Sequence, residues 1–141
     1  MKNLLPDLEI PKVLLNRIIE RARQEYPLES CGILAGKTGR ISNFYPMVNV
    51  EKSSSCYRMA PEGQLRVFLE IERKGLELSA IYHSHPHTAA FPSQRDVDQA
   101  FYPESLILII SLMEKGALQM GAFQIAEGRI EKKTIKVVEK D

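Results

Sequence analysis

The stretch Ile81-Tyr82-His83-Ser84-His85-Pro86 constrains this chain more than any other, because it fixes where a strand ends and what must face one side of it. Residues 78–85 read as a strand, and its period of two sets His83 and His85 side by side on one face. Pro86 and Pro92 bracket a segment that can be neither helix interior nor central strand, so the chain turns back over the strand end. Ser93 opens a helix, and Asp96 lies on the same helical face about a turn later. Two neutral imidazoles and one carboxylate brought to one point suit zinc, with a fourth tetrahedral position open to water. Iron or manganese also suits such a set. Each residue has a plainer reading as well. Ser93 with Asp96 matches the capping box, His83 alone suits a satisfied core histidine, and His85 alone a loop residue before proline.

The remaining pattern builds a scaffold around that stretch. Pro11 starts a helix over residues 11–24, with Leu15, Ile18, Ile19 and Ala22 as its buried stripe. Residues 29–36 and 40–48 read as two strands joined at Lys37-Thr38-Gly39, with Glu29 at the outer end of the hairpin. A polar loop over 49–55 leads into a short extended piece, 56–59. Pro61 begins a second helix with Leu65, Phe68 and Leu69 facing inward, stopped at Gly75. In the following strand Ile81, His83 and His85 share one face and Leu78, Ala80 and Tyr82 the other, which suits a central strand covered on both sides. A short helix over 93–101 and strands over 105–113, 117–126 and 129–138 complete the chain, the last rich enough in Lys and Glu for an edge. Several turns are too short for crossovers. The fold class is therefore α/β, a single mixed β-sheet with helices on its faces, in one domain spanning residues 1–141.

Charge and composition exclude several roles. A net charge of +1 supplies no basic field for nucleic acid. The longest apolar run, residues 106–110, is far too short to span a bilayer. Residues 1–7 lack the apolar core and cleavage site of a secretory leader, so the cytoplasm is the expected compartment. There the 2 cysteines are thiols. Cys31 reads as a buried small hydrophobe and Cys56 as exposed; a Cys-His hydrolase would need one of them close to a histidine with a depressed pKa.

His83-Ser84-His85-Pro86, the spacer to Pro92, Ser93 and Asp96 together resemble the motif of the JAMM (MPN-plus) zinc metallopeptidases, small stand-alone prokaryotic type. The segment Pro27-Leu28-Glu29-Ser30-Cys31-Gly32 resembles the one that carries the family's glutamate. The resemblance implies the JAMM/MPN fold, related to the cytidine-deaminase architecture. It also implies zinc on His83, His85 and Asp96, with Glu29 as general base and Ser93 stabilising the oxyanion. For Ser93 this use competes with capping for one hydroxyl; for Glu29 the plainer reading is a solvated strand-end carboxylate. The implied substrate is an amide or isopeptide bond at the tail of a ubiquitin-like or sulfur-carrier protein, or of its conjugate. Such a tail would pair along the short strand at Tyr57 and Met59. Alternatives remain: a non-catalytic MPN-type interaction scaffold, or a metal hydrolase of small amide or cysteine adducts. A zinc deaminase would show H-x-E and P-C-x-x-C, and neither occurs. Oligomeric state is not fixed by the sequence.

Overall fold

The computed structural model of the chain describes residues 4–139. The extended start before the first helix is a strand, β1 (Leu8–Pro11); residues 1–3 lie outside the described residues. Pro11 precedes α1 (Lys12–Glu25), where a missing N–H costs no helical hydrogen bond. Leu14, Leu15, Ile18 and Ala22 are buried, whereas Ile19 only packs against the rim of the core. A hairpin follows, β2 (Cys31–Lys37) and β3 (Arg40–Met47), in which Thr38 (φ 51°) and Gly39 (φ 77°) supply the left-handed pair that a tight turn needs to match strand twist.

The second helix, α2 (Pro61–Arg73), starts at its proline but of the expected stripe turns only Phe68 toward the core. Leu65 and Leu69 are 58% and 55% exposed, while Ile71 is buried and Val67 and Phe68 pack beside it. Apolar residues occur on two faces of this helix, so periodicity allowed two solutions, and packing against Ile81 and Ile33 selects the Val67–Ile71 side. The chain continues through β4 (Glu77–His85), α3 (Gln94–Asp98), β5 (Leu106–Ser111) and β6 (Gln119–Ala126). α3 is shorter than the helix expected over 93–101.

The segment expected as one edge strand is two: β7 (Arg129–Lys133) and β8 (Ile135–Val138). The sheet order is β7-β6-β5-β4-β2-β3-β1-β8, so these consecutive strands lie at opposite ends. One intervening residue, Thr134, spans less than about 4 Å, so the sheet must curl until its ends meet. Thr134 is fixed there: its carbonyl accepts from Leu8 N at 3.0 Å and its N–H donates to Asp7 Oδ1 at 3.0 Å.

β4 lies inside this sheet, antiparallel to β2 and parallel to β5. One of its faces joins the main core with α1, through Ala80 and Tyr82. The other meets α2 through Ile81, with a further cluster around Ile109, Phe123 and Ile125 beneath Val97 of α3. The register shifts in β4 because Leu34 opposes Ala80 but Ala35 opposes Leu78. This bulge turns Leu78 to the Ile81 side, against the strict alternation expected. No helix among the described residues is long and apolar enough to cross a membrane.

Candidate metal centre

Strand alternation brings His83 and His85 to the same face at the end of β4, both almost fully buried. Their Nε2 atoms are 3.1 Å apart. The loop after Pro86 folds back as expected, held by Ser111 Oγ donating to Thr88 O at 2.6 Å and by Phe91 edge-on to Phe123. It delivers Asp96, whose Oδ1 lies 3.2 Å from His83 Nε2 and whose Oδ2 lies 3.0 Å from His85 Nε2. Three ligand atoms thus converge within 4.8 Å of one another.

The hydrogen bonds around these atoms test whether a cation suits them. His85 Nδ1 lies 2.8 Å from Ala89 O, and a carbonyl only accepts, so the ring proton sits on Nδ1. In the neutral ring the Nε2 lone pair then points at the centre, as in metal sites whose other nitrogen is held by a carbonyl. Burial pushes His83 toward its neutral form. For Asp96, burial opposes ionisation, but the bonds to His83 and His85 outweigh it and hold the carboxyl well below the usual carboxylate range. For His85, burial also opposes charge, and the contacts with Asp96 and Ala89 O override it. An ionised carboxylate facing two imidazole nitrogens needs positive charge between them, from a proton or a metal cation. The donor set fits zinc.

Glu29 reaches the same face from the segment before β2. Cys31 pairs with His83, and Ser84 N donates to Ser30 O at 3.0 Å, which continues the ladder and sets Glu29 across from His85. It is no solvated strand-end carboxylate, being only 4% exposed, with Oε1 buried and unbonded. Burial raises its pKa from 4.5 to about 7, with Asp96 adding to the rise and His85 and Arg95 opposing it.

Ser93 closes the capping box: Oγ accepts Asp96 N at 3.1 Å, and Ser93 N donates to Asp96 Oδ2 at 2.9 Å. The competition expected for this hydroxyl disappears, because the cap occupies a lone pair and leaves the O–H proton. Met59 is buried and forms a bridge to Asn49, while Tyr57 stacks on the His83 ring at 4.8 Å and 24°. Tyr57 therefore backs a candidate ligand instead of only lining a groove. Cys31 is buried and its thiol is pushed up to about 12, the reverse of what a nucleophile needs.

Two contributions were invisible in the spacing. Behind the histidines, Ser84 Oγ accepts Ser30 N at 2.8 Å and the Ser30 hydroxyl bonds the buried Tyr82 hydroxyl, pinning the Glu29 segment to β4. Asn49, in what reads as a polar loop, is fully engaged in hydrogen bonds. No local pattern announces the Ser84–Ser30 bond or the reach from Asn49 to Glu29, since each joins residues distant in sequence.

The family model for prokaryotic homologs of the JAB domain matches residues 11–123. A CysO-cysteine peptidase of Mycobacterium tuberculosis is 34% identical over 128 residues, covering 89% of this chain and 88% of the relative. A probable TtuB-protein conjugate cleaving protease of Thermus thermophilus is 32% identical over 123 residues, 86% of this chain and 78% of the relative. A protein from Desulfitobacterium hafniense solved in solution superposes with a TM-score of 0.85 at 30% identity, covering 94% of both chains.

Proposed function

This chain belongs to the family of prokaryotic JAB-domain homologs, and on that premise we propose that it is a zinc metallopeptidase cutting an amide or isopeptide bond at the C-terminal tail of a ubiquitin-fold carrier protein or its conjugate. The observation that carries the reading is the meeting of His83, His85 and Asp96 on one point, with the buried Glu29 on the same face. His83, His85 and Asp96 would hold the metal. When bound, zinc supplies a Lewis acid that polarises a carbonyl and makes water acidic enough to lose a proton near neutral pH.

The chain's own residues do the rest. The Glu29 carboxylate, buried on the same face and with Oε1 free of hydrogen bonds, takes a proton from the attacking water and returns it to the leaving amine nitrogen. The Ser93 hydroxyl keeps its proton free of the cap and donates a hydrogen bond to the substrate oxygen as negative charge builds there. Tyr57 stacks on His83 and excludes water from that ring.

A groove of about 220 Å³ runs beside the centre, lined by Tyr57, Met59, Ile81, Phe101 and Tyr102 among others. Arg58 turns its N–H to Asn49 Oδ1 (3.1 Å) and its carbonyl to Val50 N (2.9 Å). By alternation the backbone groups of Tyr57 and Met59 face away from that segment, which suits pairing with an extended tail. The names of the mycobacterial and Thermus relatives, a peptidase of CysO-cysteine and a protease of TtuB conjugates, support a carrier-type substrate.

The test uses a ubiquitin-fold carrier extended by a peptide beyond its C-terminal Gly-Gly. Zinc-loaded protein should cut after Gly-Gly, chelation should stop it, and added zinc should restore it. Cleavage of small cysteine adducts alone would move the reading to the small-adduct hydrolase. Tight binding of the carrier without cleavage would move it to a scaffold.

A further inference from the structure

We propose that Asn49 is a positioning residue that ties the groove wall at residues 56–58 to the backbone of Glu29, an inference that rests on the hydrolase reading above. Asn49 follows β3 and is 2% exposed. Its amide uses every donor and acceptor it has. Nδ2 donates to Glu29 O at 3.0 Å and to Cys56 O at 3.0 Å. Oδ1 accepts from Glu51 N at 3.0 Å and from Arg58 N at 3.1 Å. Two donors and two lone pairs are all a side-chain amide carries, so it is fully satisfied by four backbone groups.

Three of those groups belong to the two parts of the site that must keep register, Glu29 on one side and residues 56–58 on the other, and the fourth, Glu51 N, closes the turn at Asn49 itself. Glu29 Oε1 has no hydrogen-bond partner, so that oxygen is not held by a bond of its own. The residue is held instead by its backbone, with Glu29 N donating to Ser53 O at 2.8 Å and Glu29 O accepting from Asn49. Both anchors come from the loop that Asn49 closes. Residues 56–58 hang on the same loop, through Asn49 and through Val50 N donating to Arg58 O. A shift of the groove wall is therefore passed to the Glu29 backbone through the Asn49 side chain and through Ser53 O. Neither aspartate nor alanine can replace it: aspartate accepts but does not donate, and alanine does neither.

Asn49→Asp separates the two halves of this role. It keeps acceptors for Glu51 N and Arg58 N, and loses both donors, including the one to Glu29 O. With the carrier–Gly-Gly–peptide fusion as substrate, the folded variant should keep wild-type zinc content. Its kcat should fall about 100-fold, the size of effect a misplaced catalytic group of about 1 Å produces. KM should change less than about threefold, since the groove wall keeps both bonds at Arg58 and loses only the one at Cys56 O. Asn49→Ala, which frees the wall as well, should raise KM in addition. A folded, zinc-loaded Asn49→Asp protein with wild-type kcat would overturn the assignment. Should the variants not fold, hydrogen exchange on wild type decides: the Glu29, Glu51 and Arg58 amides should open together, and Glu29 exchanging only with the body of β2 would overturn it. Failure of the wild type to cut the fusion is a different result, and counts against the hydrolase reading alone.

Discussion

The Ser93 oxygen accepts the Asp96 N–H while its own proton stays available, so structural and chemical roles can be removed separately. Ser93→Ala should cost about 1 kcal/mol of stability through the lost cap and lower kcat roughly a hundredfold through the lost donor. Ser93→Asp restores an acceptor for the cap but no donor, so stability in denaturant should return while kcat does not. Glu29 offers a second separation, in the metal-free protein. Its carboxyl is raised by burial from 4.5 to about 7, so it binds its proton more tightly folded than unfolded. That contribution is full below about pH 4.5 and is lost as pH rises through about 7. Glu29→Gln cannot lose it. Metal-free variant and wild type should therefore be similarly stable near pH 4, and the variant should be more stable at pH 8, by on the order of 1–3 kcal/mol. Equal stability at both pH values would mean that Glu29 is not buried as described.

At the scale of elements, α2 shows what periodicity alone leaves open. Leu65 and Leu69 are spaced as well as Val67 and Ile71 for a buried stripe, and only contact with Ile33 and Ile81 chooses between the registers. Leu69→Ser should change stability by less than about 0.5 kcal/mol, as an exposed position does. Ile71→Ala should cost about 2–5 kcal/mol, measured by the same denaturant titration. The His-bearing strand was more legible, because a period of two near a proline leaves one geometry for His83 and His85. Its bulge was not: the shift that turns Leu78 toward Ile81 is set by where β2 pairs, which residues 77–85 do not encode by themselves. Glu29 lies between these cases. Its place opposite His85 comes from the β2–β4 register, and the resemblance of Pro27-Leu28-Glu29-Ser30-Cys31-Gly32 to a family segment pointed to it before any pairing was known.

Across the whole molecule, the two ends of the sheet are joined at Thr134, and this closure had no signature in the sequence. The Lys- and Glu-rich segment read as one exposed strand because its composition is uniform across the break. The split is made by partners more than a hundred residues earlier, β1 and Asp7. Truncation after Thr134 removes β8 and with it the strand that, among the described residues, alone pairs along the full length of β1, whose Leu8 and Ile10 are wholly buried. The shortened chain should lose its cooperative thermal transition, or shift it down by many degrees, while retaining helical signal. The mixed sheet, its flanking helices and the convergence of His83, His85 and Asp96 were all legible, since each follows from local period, turn chemistry or motif spacing. The account as a whole is tested most directly by measuring bound zinc and cleavage of the carrier–Gly-Gly–peptide fusion together in Glu29→Gln and His85→Ala. Glu29→Gln should hold one zinc per chain and cut at least about a hundredfold more slowly than wild type, whereas His85→Ala should lose both metal and cleavage. Zinc lost to the same degree in the two variants would make Glu29 a ligand and contradict its role as the proton acceptor.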